Sequence, residues 1–154
     1  MDYRLVTEQI KGLLETDQHF IPVMSNVSAL LMENLEEINW VGFYLMREGR
    51  LVVGPFQGKL ACIHIEVGRG VCGTAVREKA VLRVDNVHEF PGHIACDSAS
   101  NSEIVLPIQR GEQVLAVLDI DSPLKNRFTD EDRQGLEAVV KKIESLTVFR
   151  ISRD

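Results

Sequence analysis

Between Asn39 and Asp121 the chain breaks into six short apolar runs, "NWVGFYLM", "RLVVGPF", "LACIHIEV", "AVLRV", "SEIVLPI" and "QVLAVLDI", punctuated by Gly, Pro and polar residues. Runs of this length bounded by turn formers read as strands. The stretches "REGR" and "QRGEQ" read as hairpin turns. No regular βαβ alternation is present. Strands gathered between helical ends restrict the fold to α+β with a mostly antiparallel sheet.

The helical ends follow from periodicity. Residues from Tyr3 to Glu15 carry apolar positions at Leu5, Ile10, Leu13 and Leu14. A second helix is expected to start at a Ser25 cap and to present Leu30, Leu31 and Leu35. The last is expected after Thr129, a good N-cap, with Asp130, Glu131 and Asp132 at the positive end of the helix dipole. Leu136, Val139, Val140, Ile143 and Leu146 would form its buried face. No repeat, low-complexity tract or linker divides the 154 residues, so one domain over residues 1–154 is expected.

Composition narrows the function. A formal charge of -6 without a basic stripe argues against nucleic acid. No apolar run approaches the roughly 20 residues needed to cross a bilayer. The start "MDYRLVTEQI" has neither the basic start nor the apolar core of a secretory leader, so the cytoplasm is the expected compartment. Three cysteines, Cys62, Cys72 and Cys96, are an odd number for a secreted disulfide framework. In a reducing compartment they divide between packing and redox, catalytic or metal chemistry.

Alternate strand residues face opposite ways. Val41, Phe43 and Leu45, then Ile104, Leu106 and Ile108, then Ala116, Leu118 and Ile120 make three aliphatic faces. The opposite faces carry Trp40, Gly42 and Tyr44; Glu103, Val105 and Pro107; and Val117, Asp119 and Asp121. If the second faces converge, they form a pocket with an aromatic wall and three acids, suited to a small ligand with an ammonium group and a short apolar side chain. Solvated strand-end acids and a satellite aromatic core are the competing reading.

Two patterns mislead. "GRGVCG", Gly68 to Gly73, matches G-x-G-x-x-G, but only a short helical stretch, Val71 to Glu78, precedes the next strand, so dinucleotide binding is not expected. Its glycines instead allow a tight turn around Cys72. Cys62, His64, Cys72, His88, His93 and Cys96 suggest zinc, yet no cysteine pair has a short ligand spacing, so no metal site is expected. Cys96 lies in "GHIACDSASNSEIVLP", a polar loop where a packing cysteine has no obvious reason to be.

The strings "GPFQGKLACIHIEVGRGVCGTAV", "DNVHEFPGHIACDSASNSEIVLPI" and "VLDIDS" resemble the free methionine-(R)-sulfoxide reductases, stand-alone enzymes of the GAF fold. The resemblance runs from about Asn39 to Leu146 and includes all three cysteine settings. It implies a six-stranded antiparallel sheet flanked by helices, a homodimer, and free methionine (R)-sulfoxide as substrate. It further implies that Cys96 attacks the sulfoxide and becomes a sulfenic acid, which a second thiol resolves as a disulfide. Cys62 is the first choice for that thiol and Cys72 the second. Glu103 is the expected acid toward the sulfoxide oxygen, with Asp121 assisting and Asp119 binding the ammonium, the last two roles being exchangeable. Trp40 and Tyr44 would enclose the methyl group. A thioredoxin-type reductant would complete the cycle without a cofactor. The non-enzymatic alternative is a GAF small-molecule sensor, which gives no reason for three cysteines around an acidic pocket.

Overall fold

The computed structural model describes residues 1–93 and 99–147. The order of elements is α1 (Tyr3–Thr16), α2 (Phe20–Asn34), β1 (Trp40–Arg47), β2 (Arg50–Gly58), β3 (His64–Glu66), α3 (Gly70–Glu78), β4 (Leu82–Val84), a 3-10 turn (Val87–Glu89), β5 (Ser102–Arg110), β6 (Gln113–Ser122) and α4 (Asp130–Leu146). The six strands form one sheet in the order β3-β2-β1-β6-β5-β4, and every neighbouring pair is antiparallel. The expected α+β architecture is therefore present. At the β1–β2 hairpin Glu48 and Gly49 take φ of 53° and 83°, the paired left-handed geometry of a tight hairpin turn.

The aliphatic strand faces do what their alternation predicts. Val41, Phe43, Leu45, Ile104, Leu106, Ile108, Ala116, Leu118 and Ile120 are buried in one core with side chains of α1, α2 and α4. Burial of each large member contributes about 1.5–3 kcal/mol. This three-helix layer holds the sheet, leaving the opposite face free to carry polar groups. That face forms a second, smaller cluster in which Trp40, Tyr44, Val105 and Val117 meet Val71, Cys72, Ala75 and Val76 of α3.

The helices depart from expectation in two places. α2 begins at Phe20, capped by His19, whose ring nitrogen accepts from the Ile21 amide. Pro22 is tolerated because its missing N–H falls within the first turn, where donors are unpaired anyway. Ser25 lies inside the helix and donates to the Ile21 carbonyl. In α1 the buried positions are Val6, Ile10 and Leu14, while Leu5 is exposed. α4 starts as expected: Thr129 and Asp132 form a reciprocal capping box. Leu136, Val139, Val140 and Ile143 are buried, and the Leu146 side chain lies outside what is described. Tyr3 donates to Asp132 at 2.6 Å, tying α1 to the start of α4.

Candidate active site

Strand register assembles the site. Because β6 lies between β1 and β5, Asp121 is opposite Trp40 on one side and Glu103 on the other. The next row toward the sheet centre on the same face holds Gly42, Asp119 and Val105. Alternation points all these residues away from the main core. Trp40 is held by its indole N–H, which donates to the Lys59 carbonyl, and its ring stacks with Tyr44 at 5.8 Å and Phe56 at 5.2 Å between centroids.

α3 closes the far side. Its entry turn is tight: a Cβ at Gly73 would lie 2.4 Å from the Glu66 carbonyl oxygen, so only glycine lets the helix start this close to β3. The result is a cavity of about 50 Å³, room for a few water-sized groups at roughly 10–15 Å³ each. Trp40, Tyr44, Cys72, Glu103, Asp119 and Asp121, all singled out in the sequence, line it together.

Glu103 and Asp119 are 7% and 5% exposed, and this burial governs their protonation. Burial, then the charge of Asp119, holds the Glu103 carboxyl well above the usual range. Asp119 is pushed up to about 8 by burial and by the charge of Asp121. The Cys72 thiol is raised by burial and by Asp119 and Glu103, and Tyr44 is raised by burial and Asp119. Cys72 Sγ lies 3.9 Å from Glu103 Oε2. At neutral pH the cavity thus offers protonated acids that can donate to an incoming oxygen, together with carboxylate oxygens that can receive a cation.

The cysteines divide. Cys72 is a buried free thiol on α3. Cys62, expected on a strand, lies instead in the irregular segment between β2 and β3, half-buried and disulfide-bonded. β3 has only three residues because the chain pairs with β2 only at His64, Ile65 and Glu66. Cys96 lies outside the described residues.

Sequence reading passed over Arg69, Gly70 and Val71, which also line the cavity. They open α3, whose N-terminus has no side-chain cap. The amides of its first turn suit an anionic group. The signal was present in "GRGVCG", whose glycines position a helix start, here without a nucleotide-binding βαβ unit. His93 also lines the cavity; burial and neighbouring His88 lower its pKa. The two rings meet edge-on at 6.2 Å.

The GAF domain model matches residues 24–145. Free methionine-R-sulfoxide reductase of Escherichia coli K12 is 53% identical over 144 residues, spanning 94% of this chain and 87% of that protein. The chain belongs to the free methionine-R-sulfoxide reductase family. The structure of the family member from Staphylococcus aureus in its reduced form superposes with a TM-score of 0.92 at 52% identity, covering 96% of both chains. The same protein in complex with substrate superposes with a TM-score of 0.90 at 51% identity, again over 96% of each. Among the described residues of this family member, no helix is long and apolar enough to cross a membrane.

Proposed function

We propose that this protein reduces free methionine (R)-sulfoxide to methionine by thiol chemistry. The observation that carries the reading is the row of Trp40, Asp121 and Glu103 beside the buried Asp119, lining one cavity in a chain 53% identical to a free methionine-R-sulfoxide reductase. The cluster of Glu103, Asp119 and Asp121 suits the ammonium of a free amino acid, and Arg69 with the start of α3 suits its carboxylate. Trp40 and Tyr44 provide an apolar wall for the S-methyl group.

In the proposed cycle Cys96 attacks the sulfoxide sulfur while Glu103, held neutral by burial, gives its proton to the oxygen. Oxygen passes to the cysteine sulfur and methionine leaves; Cys96 is oxidised by two electrons to the sulfenic acid as the sulfoxide is reduced. The Cys62 thiol then displaces hydroxyl, which departs as water, and a disulfide forms. The bonded state of Cys62 and the free state of Cys72 support Cys62 as this resolving thiol. A thioredoxin-type dithiol would reduce the disulfide and become a disulfide itself. Asp121 assists proton transfer, and Asp119 gives up its proton as it binds the ammonium. No prosthetic group enters the cycle. The single domain over residues 1–154, a homodimer and a cytoplasmic setting complete the proposal.

The test is methionine formation from reduced protein. Turnover is expected with the free R epimer, with little on the S epimer and little on a blocked peptide. Equal rates on free and blocked compounds would overturn the ammonium argument. Binding without turnover would favour a sensor.

A further inference from the structure

The proposed cycle makes no use of one nucleophile, Cys72, which is 4% exposed and faces the acid pair. Its sulfur, one Glu103 oxygen and one Asp119 oxygen all lie within 4.8 Å of one another. The residues come from three elements, α3, β5 and β6, so their approach is a product of the fold. A second observation concerns Asp119 Oδ1. It is buried, belongs to a residue that lines the cavity, and has no hydrogen-bond partner among the described residues. A buried carboxylate oxygen left unpaired costs free energy and marks a place where a ligand is wanted. An ammonium group satisfies carboxylates but makes no use of a thiol sulfur. A thiophilic divalent cation uses all three donors, since mixed sulfur and oxygen ligation is within the range of zinc.

We propose that the cavity is a binding site for one thiophilic divalent cation of the zinc type, held by Cys72 Sγ, Glu103 and Asp119 Oδ1. Coordination replaces the thiol proton and the protons that Glu103 and Asp119 hold at neutral pH, and all of these leave to solvent, so binding strengthens as pH rises. Three protein ligands leave further positions open toward the cavity, as in zinc sites that exchange a small ligand. The ion occupies the acids assigned above to the substrate, so it inhibits by competition. That consequence rests on the proposed function; the binding itself does not.

Cobalt(II) tests the binding alone, because thiolate ligation produces a near-ultraviolet charge-transfer absorption. In a Cys62→Ser/Cys96→Ser protein, Cys72 is the sole thiol. The absorption is expected to rise and saturate at one cobalt per chain, to be displaced by zinc, and to vanish on adding Cys72→Ser. Asp119→Asn should weaken cobalt binding while retaining the thiol. If the double variant does not fold, wild-type protein under non-reducing conditions serves, with Cys62 bonded and Cys72 free. No saturable absorption in folded protein, or absorption that survives Cys72→Ser, overturns the site. If binding is seen and zinc does not compete with free methionine sulfoxide, the cation site stands and the substrate assignment of the acids falls.

Discussion

Replacing Asp119 with asparagine measures what the acid cluster costs the fold. Asp119 is buried in the middle of β6, and its carboxyl is raised from an ordinary 3.8 to about 8. A carboxyl with a raised folded-state pKa binds more protons folded than unfolded throughout that window. Its contribution to stability is therefore complete below about pH 4 and is lost as pH rises toward about 8, at about 1.4 kcal/mol per pH unit. Between pH 4 and pH 7 the loss is on the order of 4 kcal/mol, large beside a domain stability of about 5–15 kcal/mol. Asparagine has nearly the same shape and never ionises. Removing the Asp119 charge also relieves Glu103, which that charge raises more than any other influence except burial. Urea unfolding of both proteins at pH 5 and pH 7.5 gives the comparison. The variant is expected to exceed the wild type by about 1–2 kcal/mol at pH 5 and by about 4–5 kcal/mol at pH 7.5, while losing affinity for substrate. Parallel pH dependences, or a variant weaker at pH 7.5, would refute the argument that burial forces this carboxyl to be neutral.

Glu103→Gln should lower kcat by about 10²–10⁴ with a smaller change in KM, the mark of a lost proton donor; wild-type activity should fall at alkaline pH as the raised Glu103 carboxyl ionises, and this limb should disappear in the variant. Cys62→Ser should release about one methionine per enzyme and then stall with thioredoxin, because chemistry at Cys96 precedes resolution. Normal cycling of Cys62→Ser, with Cys72→Ser stalled after one turnover, would reverse the roles of the two thiols. Gly73→Ala should cost about 1–3 kcal/mol in thermal or urea unfolding, since the new Cβ meets backbone oxygen at 2.4 Å, and should impair turnover by displacing the start of α3.

Period-two alternation in β1, β5 and β6 was enough to sort their residues into a core face and a site face, because a pleat allows only two directions. Thr129 and the acids after it marked the start of α4, because capping is satisfied within four consecutive residues. Local physics failed where distant partners decide. α2 starts five residues before Ser25 because Phe20, Val23 and Met24 gain burial against the sheet layer, outweighing a favourable serine cap. Cys62 lies off the strand because β2 pairs with only three residues of β3. The convergence of Trp40, Asp121 and Glu103 required β6 to insert between β1 and β5, a pairing that joins β6 to the distant β1. The shifted protonation of Glu103 and Asp119 belongs to the same class. The sequence determines that these are carboxylates on inward-facing strand positions; only tertiary packing removes the water and brings the charges close enough to hold their protons at neutral pH.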